Sequence, residues 1–157
     1  MTQRQNRFFL KRSLLPLFSF LVLLGSSQVR ADGKETISIN SGQGPQTFIV
    51  EIMETPSQLE RGLMYRRTMP TDHGMLFNFH ADQPVMMWMK NTYLPLDMIF
   101  SDKTGKITWI AENAEPLSEA IIPSHGSVYS VLEINGGLAA KLKIHVGDMI
   151  KASIFVP

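Results

Sequence analysis

The chain has 157 residues, with 15 Lys and Arg, 14 Asp and Glu, four His and no cysteine, for a formal net charge of +1. Without cysteine there is no disulfide scaffold, no thiol nucleophile and no lipid anchor on an N-terminal cysteine, so a packed core has to hold the fold.

The first 31 residues read as an address. Arg4, Arg7, Lys11 and Arg12 precede the apolar run Leu14–Gly25, and Val29-Arg30-Ala31 puts small residues at the −3 and −1 positions of a cleavage site. This is the layout of a secretory signal peptide. The alternative is a retained membrane anchor, but a helix that crosses a bilayer needs about 20 apolar residues. Cleavage after Ala31 predicts a periplasmic or secreted protein that meets the membrane only before cleavage. Five basic residues leave with the signal (Arg4, Arg7, Lys11, Arg12, Arg30), so residues 32–157 carry 15 − 5 = 10 basic against 14 acidic side chains, a net charge of −4. An acidic domain without a basic stripe is a poor nucleic-acid binder, and that class is excluded.

Residues 32–46 are polar and rich in Gly and Ser. They predict a flexible lead-in with one short strand-like run, Ile37-Ser38-Ile39. Residues 47–157 then predict one domain. In residues 47–54, Phe48, Val50 and Ile52 alternate with polar neighbours, the pattern of a half-buried strand. Thr55-Pro56-Ser57-Gln58 opens a helix: Thr55 can accept from the N3 amide, Pro56 suits N1, and Gln58 can reach back. That helix is expected to run through Leu59 and Leu63 and end near Tyr65.

Strand patterns follow at Gly74–Phe79, Val85–Lys90 and Leu96–Phe100. The run Val85–Met89 is apolar on both faces, which predicts a central strand covered on both sides. Asp102–Gly105 is a turn, and Lys106–Ala111 returns as a hairpin arm. Val128–Ile134 and Met149–Val156 also alternate, with room for one short helix between Gly136 and Ile144. The expected fold class is α+β, mostly β: a compact single-domain barrel or sandwich of short strands with one or two short helices.

No cysteine nucleophile, Gly-x-Ser-x-Gly elbow, His-Glu-x-x-His or glycine-rich phosphate loop is present. His73, His80, His125 and His145 lack ligand spacing and read as loop histidines. Asp97 stands inside an apolar strand, and Glu133 shares a strand face with Tyr129 and Val131. A carboxylate beside buried positions needs a partner, and Lys90, Arg61 and Asn91 are the candidates for Asp97. Structural ion pairing at the mouth of a barrel and a ligand site are both compatible with this pattern. Met87-Trp88-Met89 pairs two soft thioethers around an indole, a pattern compatible with Cu(I), while core filling by Met is the plainer alternative.

Arg61-Gly62-Leu63-Met64-Tyr65-Arg66, Gly74-Met75-Leu76-Phe77, Trp88-Met89-Lys90-Asn91-Thr92, Leu96-Asp97-Met98-Ile99-Phe100, Leu132-Glu133-Ile134 and Gly147-Asp148 follow in order. Together they resemble the domain-of-unknown-function 192 family, over roughly residues 46–155. The Trp-Met-Lys-Asn-Thr block followed by Leu-Asp is the specific part. The resemblance implies a small exported bacterial domain and brings no activity with it.

The expected function is therefore that of a non-catalytic cell-envelope module with a polar-rimmed groove, binding a small molecule, a glycan or a protein segment. Its proposed contact residues are Arg61, Trp88, Lys90, Asn91, Asp97 and Glu133, with no cofactor and no metal. The alternative is a hydrolase or lyase with Asp97 and Glu133 as its acid–base pair. The lesser alternative is Cu(I) binding by Met87 and Met89.

Overall fold

A computed structural model describes Met1 and residues 33–155. The expected signal peptide and its cleavage point lie outside the described residues. One seven-stranded sheet carries the domain: β1 (Lys34–Ser41), β2 (Gly44–Met53), β3 (His73–Met87), β4 (Leu96–Ser101), β5 (Ile107–Ala114), β6 (Ile122–Asn135) and β7 (Met149–Lys151). Two short helices accompany it, α1 (Pro56–Arg61) and α2 (Leu138–Lys141). The spatial order is β5-β4-β6-β3-β2-β1-β7. The sheet curls into a half-barrel until its two ends meet, where Ile107 N donates to Asp148 O (2.9 Å) and Ile150 N to Gly105 O (2.8 Å). The mostly β, single-domain class expected from the alternating patterns is the observed one. Among the described residues no helix is long and apolar enough to cross a membrane.

Among the described residues only β2 and β3 pair in parallel. A parallel pair needs a crossover connection, and residues 54–72, which include α1, supply it. Thr55 caps α1 as expected: its hydroxyl accepts from Gln58 N, and Gln58 Oε1 accepts from Thr55 N at 3.0 Å. The helix stops at Arg61 rather than near Tyr65, because Gly62 turns away with φ +45°.

The sheet has a core on each side. On the concave side Ile37, Phe48, Leu76, Ile99, Leu132 and Ile150 meet under α2. On the convex side Leu63, Met75, Met89, Met98, Phe100 and Val131 meet under the loops that follow α1 and β3. Every residue of β4 is buried, so β4 is the strand covered on both faces.

Two expectations are corrected here. Of residues 32–46, expected as a flexible lead-in, Lys34–Ser41 form β1 and Gly44 opens β2, and Ile37 and Ile39 are core residues. Their polar neighbours lie on the other face of the hairpin, so low average hydrophobicity hid a half-buried strand. Val85–Met89, expected as a central strand, begins as the far end of β3, which stops at Met87. β2 accompanies β3 only as far as Phe77, and beyond that point β6 is its partner. Met86 is therefore 74% exposed and Trp88 43% exposed.

Candidate functional site

The eight buried polar side chains of the described residues are Glu35, Asn78, Thr92, Asp97, Ser101, Ser124, Ser130 and Glu133. Burying such groups is costly unless they are hydrogen-bonded, and seven of them are. Glu35 accepts from Ser153 N and Ser153 Oγ. Asn78 donates to Glu54, Thr92 to Lys90 O, and Ser124 to Gly126 O. Ser101 and Ser130 bond each other at 2.6 Å.

Asp97 is the best satisfied of all. Its Oδ1 accepts from Asn113 N (2.8 Å) and Gly137 N (2.9 Å), and its Oδ2 from Ala139 N (2.8 Å). Gly137 and Ala139 are the N-cap and second residue of α2, whose own cap has no side chain to offer. Asp97 thus caps α2 from a neighbouring strand, where a negative charge also suits the helix dipole. This corrects the expected ion pair. Lys90 reaches instead toward Glu119 at 4.0 Å and lies 5.6 Å from the Trp88 ring centroid.

Glu133 is the exception. It is 4% exposed and makes no hydrogen bond or ion pair with another described residue. Since no fully enclosed side-chain oxygen or nitrogen among the described residues lacks a partner, its carboxyl oxygens reach the surface of a cleft. The β6 register sets it opposite Met75 of β3 and Met98 of β4, on the convex face. Burial pushes its pKa up to about 8, so the carboxyl is mostly protonated at neutral pH.

Glu133 lies at the floor of a cleft of about 160 Å³. One wall comes from α1 and its exit, Leu59 to Met64; the other comes from Met86 to Trp88, with Phe77 and Thr92 behind. Local sequence explains both walls. Gly62 brings the chain close to Phe77, whose Cζ would stand 2.9 Å from any Cβ at that position. Asn91 adopts the left-handed conformation (φ +56°). Its carbonyl accepts from Tyr65 N at 2.8 Å, and its amide nitrogen lies 3.9 Å from Met64 Sδ, tying the walls together. Arg66 clasps Glu51 of β2 through both guanidinium nitrogens, anchoring the loop behind.

Of the six expected contact residues, Arg61, Trp88 and Glu133 line this cleft. Lys90 and Asn91 lie in the segment that forms one wall but do not line it. Asp97 lies across the sheet from it. Asp97 and Glu133 point to opposite faces, so the expected acid–base pair does not exist. Met87 lines the cleft while Met89 is fully buried in the convex core, so the two thioethers do not share an open site. No group of three or more His, Cys, Asp or Glu side chains among the described residues is placed to hold a metal. Glu60, Met64, Phe77 and Thr92 join the cleft without having been singled out. The signals that could have found this fold-back are Gly62, which fell inside the expected helix, and Asn91, two residue types that accept the positive φ they adopt here.

A family model described as "Uncharacterized ACR", DUF192, matches residues 37–152. No curated protein matches the chain. Among solved structures, a Sinorhizobium meliloti protein provisionally labelled a transcription regulator is 50% identical, with a TM-score of 0.75, covering 77% of this chain and 95% of its own. A protein of unknown function from Novosphingobium aromaticivorans is 32% identical, also with a TM-score of 0.75, covering 82% of this chain and 94% of its own.

Proposed function

The chain belongs to the domain-of-unknown-function 192 family, and we propose that it is an exported binding module of the cell envelope whose site is the Glu133 cleft. One observation carries this reading: of eight buried polar side chains, Glu133 alone lacks a partner, and it opens into a cleft. A largely buried carboxyl that no protein group satisfies, set at a cleft, is the kind of group that functional sites hold. On this reading its partner is a ligand group, from a small molecule or a segment of another protein. Trp88 at the mouth offers flat apolar contact area, and Arg61 a polar rim.

Export rests on the signal pattern of residues 1–31. The regulator label of the Sinorhizobium protein is not carried over, since residues 32–157 have four more acidic than basic side chains.

The test is a thermal-shift screen of the protein against sugars, nucleotides, amines, peptides and metal ions, because a ligand that binds the folded state raises the melting temperature. Ligands found this way should lose affinity at least tenfold in both Glu133→Gln and Trp88→Ala. A screen without hits, or hits indifferent to both substitutions, overturns the binding reading. For export, the protein recovered from the cell envelope should begin at Asp32; recovery of the uncleaved chain refutes that part alone.

A further inference from the structure

Resting on the cleft reading, we propose that the site receives a primary ammonium group carried on a short aliphatic stem, from a free amine or a lysine side chain. Three features point to this chemistry. The first is the unmet need at the floor. A carboxyl that is 4% exposed and unpartnered is best complemented by a group that brings both hydrogen-bond donors and positive charge.

The second is the balance of charge around it. Glu60 and Arg61 line the cleft with opposite signs, and Lys90 is turned to Glu119. β3 and β4 place uncharged Met75 and Met98 beside Glu133, and the 88–92 segment contributes Trp88 and Thr92 to the lining. No other charged side chain lines the cleft. Glu60 and Glu133 set two carboxyl groups against the single guanidinium of Arg61 in the lining, so when Glu133 ionises the cleft carries one negative charge in excess.

The third is shape. A cleft of about 160 Å³ holds roughly five groups of water size. Its walls at Leu59, Leu63, Met64 and Phe77 are apolar, which suits a chain of methylenes. Thioether and aromatic surfaces also tolerate an approaching cation better than aliphatic ones do.

Proton balance follows directly. The free site holds Glu133 as the acid, because burial pushes its pKa up to about 8. Binding converts carboxylic acid plus alkylammonium into a carboxylate–ammonium pair, and the carboxyl proton goes to solvent. Close to one proton is released per amine bound at pH 6.5, falling to about half a proton at pH 8. Affinity should then rise as pH rises toward 8, by up to about tenfold per unit, and level off until the amine itself loses its proton near pH 10.

The experiment is calorimetric titration of the protein with n-pentylamine, 1-pentanol and pentanoate at pH 6.5. Each is run in two buffers of different ionisation enthalpy, and the Trp88 indole N–H is followed by NMR. Pentylamine should bind, shift the Trp88 signal, release about one proton and weaken about tenfold per pH unit on acidification. Pentanol and pentanoate should bind at least tenfold more weakly. Glu133→Gln should abolish amine binding, and the proton count on the parent protein stands independently if that variant folds poorly. Nα-acetyl-lysine N-methylamide distinguishes the sources: tighter binding than pentylamine assigns the site to a lysine side chain, weaker binding to a free amine. If pentanol or pentanoate binds as tightly as the amine, or no proton is released, the ammonium assignment fails while cleft binding survives. If no probe shifts Trp88, both fail.

Discussion

Asp97 and Glu133 stand one step apart on the β4–β6 ladder and face opposite sides of the sheet, Asp97 paired with Ile134 and Glu133 with Met98. Because side chains alternate along a strand, this one-residue offset gives two buried carboxyls different roles. Asp97 is enclosed by three backbone amides and organises α2. Glu133 has no partner and meets the cleft.

Asp97→Asn should therefore weaken the fold without altering the cleft. An amide keeps one acceptor oxygen but turns its NH2 group toward backbone donors, and hydrogen bonds to a charged acceptor are worth about 1.5–3 kcal/mol each. The expected loss is about 2–4 kcal/mol in urea unfolding. Binding of any cleft ligand should stay within about twofold of the parent at a temperature where both are folded. An unchanged unfolding midpoint would show that the three amides do not depend on the charge.

Glu133 predicts a pH dependence of opposite sense to that of an ordinary paired carboxylate. Its folded pKa of about 8 exceeds its ordinary value of 4.5. Between those values the folded state holds a proton that the unfolded state has lost. Stability from this group is full below about pH 4.5, falls as pH rises, and stops falling above about pH 8. The slope is at most about 1.4 kcal/mol per pH unit. Glu51 acts the other way: its hydrogen bond to Arg66 lowers its pKa, so its contribution is lost on acidification. Comparison with Glu133→Gln isolates the Glu133 term. The stability advantage of the Gln variant should grow from pH 5 to pH 8 and then remain constant; parallel curves would mean that Glu133 ionises normally.

Ser101 and Ser130 form a closed pair across β4 and β6, fully buried and 2.6 Å apart. Removing one hydroxyl strands the other, so Ser101→Ala or Ser130→Ala alone should each cost about 1–3 kcal/mol. The double variant should cost clearly less than the sum, because nothing polar is then left unpaired. Additive losses in a double-mutant cycle would count against the pairing.

Gly74 is a packing requirement of the β3–β6 ladder. A Cβ there would lie 2.6 Å from the Glu133 carbonyl oxygen and 3.2 Å from Ile134 Cγ2. Both neighbours belong to a paired strand that cannot easily give way, so Gly74→Ala should cost about 1–3 kcal/mol as overpacking. It should also disturb any Glu133-dependent binding, since the strand displaced is the one that carries Glu133. Parent-like stability would show that the ladder yields.

Local chemistry was legible in the sequence. The Thr55–Gln58 capping box, the Asp102–Gly105 turn and the alternation of Phe48 with Val50 act over a few neighbouring residues, and all appear in the structure. The mostly β class followed from them. What the sequence alone did not reveal depends on partners distant along the chain. Residues 34–46 look polar until pairing with β2 turns Ile37 and Ile39 inward. Met86 and Trp88 look like core until β2 leaves the side of β3 and exposes them. Asp97 seemed to need a cation because side chains are visible in a sequence. Its actual partners are backbone amides of residues 113, 137 and 139, and every residue but proline carries such a donor. Arg61, Trp88 and Glu133 were identifiable singly, but only the tertiary structure brought them to one cleft and left Glu133 without a partner, because burial and contact are properties of the folded surface.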